Sequence, residues 1–298
     1  MPEKFQIINV THEMRSDTEQ MGSKKKFWFI KDDQKWLFKE GRENTGENWA
    51  EKVGSEIASL LGINTHTVEL AVYDGTKGCA LKSFLEDKNQ NLIHGNEFMA
   101  GLITGYDPEI VRGHSEHTIE NIEEMLGKLY AYPEGAKNTA YQMAEYLLFD
   151  SLIGNTDRHH ENWGFIHTLQ GTSVILGVNE LKLAPSYDHA SSLGREMLDS
   201  RREQHLNAGT IENYLKKGYG GVFRKQGDKR GMSPVETIDY LAVNHPRFFE
   251  YGKSKIANLS IADCEQLLAR VPDDYITQTS RDFALALLKI TYKLITER

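Results

Sequence analysis

The sequence has little of several features that mark other classes of protein. Only two of its 298 residues are cysteines, and Cys79 and Cys264 lie far apart without metal-ligand spacing. This excludes a disulfide framework and a thiolate zinc site. With only seven prolines and 39% hydrophobic residues, the composition does not fit a disordered or fibrous chain. No run approaches eighteen uncharged apolar residues, so a membrane span is not expected.

The chain also lacks an excess of positive charge. Its 35 Lys and Arg residues stand against 43 Asp and Glu residues, a net charge of −8. Sequence-independent nucleic-acid binding depends on basic side chains at phosphates, so direct nucleic-acid binding is not expected. Two local basic clusters remain, Lys24 to Lys26 and FRKQGDKRG from Phe223 to Gly231, and the second is interpreted as a solvated face. The start, MPEKFQIINV, lacks the layout of a secretory signal, which favours a cytoplasmic location without membrane contact.

Hydrophobic spacing divides the chain into two parts. From Phe5 to about Phe84, period-two runs and turn residues predict an antiparallel sheet with two hairpins, KFWFIK with QKWLFK and VELAVY with CALKSF. The segment ENWAEKVGSEIASLLG between them predicts a helix that ends at Gly62. After about Asp87 the spacing predicts helices, interrupted by three short strands, GFIH, SVILGV and LKLAPSYD. We therefore predict an α+β, bilobal fold with a small β-rich N-lobe (1–84) and a larger helical C-lobe (85–298).

The most informative motif is GNTDRHHENWGF, from Gly154 to Phe165. Asp157 and Asn162 stand five positions apart, the spacing of the kinase catalytic loop. In such a loop the Asp accepts the proton of the substrate hydroxyl and the Asn holds a magnesium ion. Alone, the motif is weak, because an Asn-Thr-Asp run also forms an ordinary capping turn at a helix end.

A second acidic position follows in LAPSYDHASSLG, where Asp188 ends a predicted short strand. Mg²⁺ prefers one or two carboxylates together with phosphate oxygens. Asp188 with Asn162 would supply such a hard oxygen set beside a bound nucleotide. The alternative is a strand-end Asp that only caps the next turn.

The N-lobe contributes a lysine and a glutamate. In QKWLFKEG the alternation puts Trp36 and Phe38 on one face of a strand and Lys39 on the other, so Lys39 can point into a cleft. The next helix carries Glu51 in its first turns, in the strand-lysine and helix-glutamate order that kinases use at the α- and β-phosphates. Glu56 is the alternative partner. An exposed edge lysine is the more ordinary role for such a residue.

Further cofactor-binding positions are predicted from chain order. In QMGSKKKFWF, Gly22 and Ser23 could close backbone N–H groups over phosphates. The alternative is a plain β-turn, which such a dipeptide commonly forms. The segment after CALKSF is placed at a hinge, where the backbone of three residues would contact adenine, namely Lys82, Ser83 and Phe84. His159 of the GNTDRHHENWGF motif is assigned to the same cofactor-binding set.

Together, GNTDRHHENWGF and LAPSYDHASSLG resemble the HipA-like serine/threonine kinase family, and the resemblance extends more loosely over residues 20–200. It implies an enzyme that uses ATP and Mg²⁺. The resemblance assigns the catalytic role to Asp157, metal binding to Asn162 and Asp188, and placement of the ATP phosphates to Lys39 with Glu51. It also implies a loop around Ser23 that covers the phosphates, and autophosphorylation of Ser23 as a means of silencing the enzyme.

The resemblance further implies a biological role and leaves alternatives open. It predicts a growth-arresting toxin of a toxin-antitoxin system that phosphorylates a Ser or Thr hydroxyl on a cytoplasmic protein of translation. An antitoxin or small accessory protein is the expected partner, and the chain is similar to a short, stand-alone form of the family. The wording D-R-x-x-x-N also resembles phosphoinositide kinases, but YDHASSLG favours the HipA-like side. A nucleotide-binding pseudokinase is the other alternative.

Overall fold

The computed structural model describes residues 2–16, 26–168 and 181–298. These residues form two β-sheets and a set of α-helices. The strands are β1 (Ile7–Val10), β2 (Lys26–Lys31), β3 (Gln34–Glu40), β4 (Val68–Tyr73), β5 (Thr76–Lys82), β6 (Gln90–His94), β7 (Gly164–Thr168) and β8 (Leu181–Leu183). The helices are α1 (Glu47–Leu60), α2 (Gly95–Leu102), α3 (Ile119–Leu129), α4 (Pro133–Ile153), α5 (Asp199–Ala208), α6 (Ile211–Lys217), α7 (Pro234–Asn244), α8 (Pro246–Ile256), α9 (Ile261–Arg270) and α10 (Gln278–Thr296).

The first sheet has the strand order β1-β4-β5-β3-β2. Its hairpins turn at Asp32 and Asp33 and at Asp74 and Gly75, which all have positive φ, as tight two-residue turns require. Both predicted hairpins are confirmed. The prediction of a wholly antiparallel sheet is wrong at one edge, because β1 pairs with β4 in parallel. A long stretch of chain separates these two strands, so no tight turn dictates their relative direction.

The alternation along β3 places side chains as predicted. Trp36 and Phe38 are buried in an aromatic cluster with Phe27 and Phe29 on one face of the sheet. Lys39 lies on the other face, in a cleft. Helix α1 packs on β4 and β5 and ends near Gly62, whose φ of +65° suits the left-handed turn after a helix.

The second sheet has the order β6-β7-β8 and is antiparallel. Strands β7 and β8 were predicted, whereas SVILGV lies outside the described residues. The prediction that the chain is helical directly after Asp87 is wrong for β6. Its sequence, QNLIH, is too short and too polar to show alternation, and it becomes a strand because it pairs along the edge of β7.

Helix α4 runs through the centre of the main core. Its C-terminal half is almost completely buried, including Leu148, Phe149, Leu152 and Ile153. This agrees with the apolar residues that encircle the helix in the sequence. The helix ends at Gly154 with φ +66°, and the loop that follows carries the GNTDRHHENWGF motif. Within the described ranges, no helix has the length and hydrophobicity needed to cross a bilayer.

Candidate active site

The end of helix α4 sets the position of Asp157. The N–H of Asn155 donates to the Asp150 carbonyl at 2.8 Å, and the N–H of Asp157 donates to Asn155 Oδ1 at 3.1 Å. These bonds turn the chain away from the helix within three residues. Asp157 therefore leaves the core with its side chain about one third exposed, in a cleft of about 730 Å³.

Arg158 binds this loop to helix α4 and to the segment before Asp188. Its guanidinium is buried and donates two hydrogen bonds to the Asp150 carboxylate, at 2.6 and 2.8 Å. It also donates to the carbonyls of Asn162 and Tyr187 and to Ser186 Oγ. One side chain thus connects α4, the motif loop and the segment before Asp188. No motif in the sequence singles out Arg158, although Asp150 is an unexplained charge in an apolar helix and points to a buried cation.

Asn162 closes the motif loop. Its Nδ2 donates to the backbone carbonyl of Asp157 at 2.6 Å, and the residue is only 5% exposed. Asp157, His159 and Asp188 are among the residues that line the cleft. Asn162 is buried and is not part of the lining. The amide therefore supports the loop from the interior.

Asp188 and Lys39 form an ion pair across the cleft, with 3.3 Å between Nζ and Oδ1. Asp188 lies beyond the end of β8 with φ +62°, a conformation that Asp tolerates better than most residues. The Lys39 ammonium lowers the pKa of Asp188 well below its usual range, although burial opposes the shift. Burial also opposes charge on Lys39, but Asp188 and Glu51 raise its pKa. Both groups are therefore charged at neutral pH.

Glu51 lies in the same cleft but is held by a histidine. Its Oε1 accepts a hydrogen bond from His66 Nε2 at 2.9 Å, while its Oε2 has no partner among the described residues. The structure brings Glu51 near Lys39, whose pKa it raises, without an ion pair between them. The alternative residue, Glu56, pairs instead with Lys52 at 2.6 Å. Of the two glutamates, Glu51 is the one that faces the predicted phosphate site.

The predicted hinge residues do not line this cleft. The N–H of Ser83 donates to the Lys35 carbonyl, and the N–H of Lys82 donates to the Thr67 carbonyl. The Phe84 ring stacks on Tyr187, with 5.8 Å between the ring centroids. The segment thus contacts the site through Tyr187, the residue before Asp188. Gly22 and Ser23 lie outside the described residues.

A second chain of hydrogen bonds leads to Asp157 from the N-terminal end of helix α1. Arg195 Nη1 donates to Glu47 Oε1 at 2.9 Å, and its Nη2 donates to Ser191 Oγ at 3.2 Å. Ser191 Oγ in turn donates to Asp157 Oδ2 at 3.5 Å. This chain of contacts runs from the start of α1 to the Asp157 carboxylate. No short motif reveals it, because its members come from three separate segments.

Two solved structures are similar to this chain and show its fold class. The structure superposes on the crystal structure of a Helicobacter pylori proinflammatory kinase, CtkA, with a TM-score of 0.80 and 16% identity, covering 98% of each chain. It also matches HipA from Shewanella oneidensis MR-1, solved with HipB and operator DNA as a toxin-antitoxin system. That match has a TM-score of 0.57 and 13% identity and covers 94% of this chain and 67% of HipA. The predicted protein-kinase-like fold is confirmed.

The family follows from the sequence match. The model of the HipA-like C-terminal domain matches residues 3–236, and the chain belongs to this family. No functionally curated protein matches the chain. The fold and family together support a kinase-like activity for the chain.

Proposed function

We propose that the protein is an ATP- and Mg²⁺-dependent kinase that phosphorylates a serine or threonine hydroxyl of a cytoplasmic protein. The observation that carries this proposal is the convergence of three charged groups in one cleft. Lys39 and Asp188 are 149 positions apart in the chain and lie 3.3 Å from each other, and Asp157 lines the same cleft. A kinase requires this set of base, metal ligand and phosphate-binding lysine.

In this proposal Asp157 acts on the acceptor hydroxyl. The hydroxyl oxygen forms a bond to the γ-phosphorus, the bond to the β-phosphate oxygen breaks and ADP leaves, and the hydroxyl proton passes to Asp157. The hydrogen bond that the Asp157 N–H donates to Asn155 Oδ1 helps to fix the position of the Asp157 carboxylate. Catalysis by this site is mainly a matter of positioning and charge neutralisation.

The donor set at the metal position fits Mg²⁺. Asp188 is ionised because Lys39 lowers its pKa, and Asn162 offers an amide beneath the loop, so the site has the hard oxygen ligands that Mg²⁺ prefers. A bound Mg²⁺ would neutralise charge on the phosphate oxygens. Lys39 then pairs with the α- and β-phosphates, steadied by the nearby Glu51 carboxylate.

The remaining assignments belong to the same proposal. The nucleotide would lie between an N-lobe (1–84) and a C-lobe (85–298). Gly22 and Ser23 would cover the phosphates, with Ser23 as an autophosphorylation site, and His159 would contact the nucleotide. The hinge segment, Lys82 to Phe84, would contact adenine. Membership of the HipA-like family and the Shewanella neighbour in complex with HipB support a toxin role with an antitoxin partner. The target would be a protein of translation.

The test is transfer of labelled γ-phosphate from ATP with Mg²⁺ by the purified protein. Asp157→Asn should abolish transfer while ATP binding, measured by calorimetry, stays nearly unchanged, because the substitution removes the base and not the phosphate contacts. Asp282→Asn, an exposed position on α10, is the matched control and should transfer label like the wild type.

Each other outcome contradicts the proposal in a definite way. Equal transfer by Asp157→Asn would exclude the assigned base. ATP binding without transfer in any variant would indicate a pseudokinase. Label that enters phosphoinositide vesicles but no protein would indicate the lipid-kinase alternative.

A further inference from the structure

The basic segment from Phe223 to Gly231 lies at the mouth of the cleft rather than on a remote solvated face. Lys229 and Arg230 line the same cleft as Asp157. The segment carries four basic residues, among them Arg224 and Lys225, against one acidic residue, Asp228, in a chain with a net charge of −8. A local concentration of positive charge against the overall sign attracts an anionic partner to this opening.

The segment is attached directly to the motif loop by its glycine-rich stem. A Cβ atom on Gly221 would come within 2.5 Å of the backbone of Arg158 and His159, so the close approach requires glycine. The N–H of Gly220 donates to the Met232 carbonyl at 2.9 Å, which closes the stem. The backbone at the base of the basic segment is therefore held against the loop that carries Asp157.

A buried histidine clamps this stem in place. His117 Nδ1 donates to the Gly221 carbonyl at 2.7 Å, and its Nε2 accepts from the Trp163 indole at 3.1 Å. A carbonyl can only accept and an indole N–H can only donate, so this arrangement defines one neutral tautomer. Burial lowers the pKa of His117 to about 3, which keeps the ring neutral at physiological pH.

Arg112 faces the segment from the loop between α2 and α3. Its side chain is 78% exposed, and its Nη2 lies 3.8 Å from Asp157 Oδ1. Arg224 and Arg230 share a single acid, Glu236, at 3.8 and 2.7 Å. Lys229 makes no ion pair with any residue of the described part of the chain.

Among the described residues, no acidic side chain that lines the same cleft pairs with Lys229 or Arg230, and Asp157 has only the long contact to Arg112. Glu47 is paired with Arg195, Glu196 accepts a hydrogen bond from the Tyr214 hydroxyl, and Glu40 lies on β3 next to Lys39. In the basic mouth, defined here as Arg112, Lys229 and Arg230, Arg112 has a long contact to Asp157 and Arg230 pairs with Glu236, so within the described residues Lys229 is the member without an ion pair.

We propose that the basic mouth binds an acidic segment of the protein substrate, with carboxylates that flank the acceptor serine or threonine. This inference rests on the proposed kinase function and names its substrate class. A substrate carboxylate beside the acceptor takes Arg112 as its partner. Asp157, released from Arg112, is then free to accept the hydrogen bond of the hydroxyl. A patch of three charges in an acidic chain suits a short carboxylate-bearing peptide better than a polynucleotide, whose affinity grows with the number of phosphates contacted.

The experiment compares three synthetic peptides of equal length, each with one serine flanked by Glu, by Gln or by Lys. We expect the wild type to phosphorylate the Glu peptide with a kcat/KM about tenfold or more above that of the Lys peptide. Lys229→Glu should reduce this preference by about tenfold or reverse it, because it places a like charge against the substrate. Lys289→Glu, at an exposed position on α10, is the matched control and should keep the wild-type preference.

The remaining measurements separate this inference from the proposed function. The KM for ATP should be the same in Lys229→Glu and wild type, since Lys229 is assigned to the substrate and not to the nucleotide. Transfer to all three peptides without an acidic preference would overturn the inference and leave the kinase function standing. A single-stranded RNA oligonucleotide that inhibits the wild type but not Lys229→Glu, without any peptide preference, would assign the mouth to nucleic acid. No transfer to any peptide and no autophosphorylation would overturn both.

Discussion

Arg158 never reaches the cleft, yet three segments of the site are attached to it. Its guanidinium and the Asp150 carboxylate are both almost fully buried, so each charge depends on the other for compensation. Removing one partner of such a pair leaves an uncompensated buried charge, which is strongly destabilising. The geometry of Asp157 therefore depends on a residue that touches no substrate.

Arg158→Ala should lower the free energy of unfolding by about 3–5 kcal/mol, as for other broken buried ion pairs. Urea unfolding of the variant and the wild type measures this difference in the free energy of unfolding. Arg201→Ala, at an exposed position on α5, should change it by less than about 0.5 kcal/mol. A loss below about 1 kcal/mol for Arg158→Ala would show that the pair contributes little. The double variant Asp150→Leu/Arg158→Met should recover part of the loss, because it removes both charges together.

At the scale of elements, helix α7 shows how a local signal and a distant charge combine. Ser233 and Glu236 form a capping box at the start of the helix. The hydrogen bond from Arg230 lowers the pKa of Glu236 to about 2, with further contributions from Ser233. The carboxylate thus both caps the helix and holds a residue of the basic mouth.

Glu236→Gln should reduce the free energy of unfolding by about 1 kcal/mol at pH 7, a modest value because the carboxylate is partly exposed. Since the pKa of Glu236 is lower in the folded state, its contribution is complete above its ordinary pKa near 4.5 and is lost as the pH falls towards 2. Urea unfolding of both proteins at pH 7 and pH 3 should therefore show a smaller difference at pH 3. An equal or larger difference at pH 3 would contradict this assignment.

At the scale of the whole molecule, the contact between Glu47 and Arg195 joins the N-terminal helix α1 to the segment after Asp188. The N–H of Gly46 also donates to the Arg195 carbonyl at 2.9 Å, so backbone and side chain act at the same point. Through Ser191, this contact reaches Asp157. The placement of the proposed base thus depends on how the two ends of the site pack together.

Arg195→Ala should slow γ-phosphate transfer about tenfold or more with little change in the KM for ATP. The substitution releases Ser191 from its partner, and small displacements of a catalytic group have effects of this size. Steady-state kinetics measure both constants. Arg42→Ala removes the other, longer contact to Glu47, at 3.6 Å, and should change the rate much less. Equal effects of the two variants would argue against a specific role for Arg195.

Much of the local structure could be predicted, because its causes are local. Asp-rich two-residue turns specify the hairpins, the spacing of apolar residues specifies α1 and α4, and Ser233 with Glu236 specifies the start of α7. The parallel pairing of β1 and the strand β6 could not be predicted. Their hydrogen bonds come from partners distant in sequence, and their own residues carry no distinct pattern.

The sequence by itself determined which chemical groups are present and in what local order: Asp157 and Asn162 in one loop, Lys39 on a strand, and the basic run from Phe223 to Gly231. These follow from turn chemistry and short-range periodicity, which act over a few residues. Only the tertiary structure decided that Lys39 pairs with Asp188, that Glu51 is held by His66, and that the basic run forms the mouth of the cleft. Such contacts depend on how helices and sheets pack over distances of more than a hundred residues, where burial and charge compensation rather than local spacing select the partner.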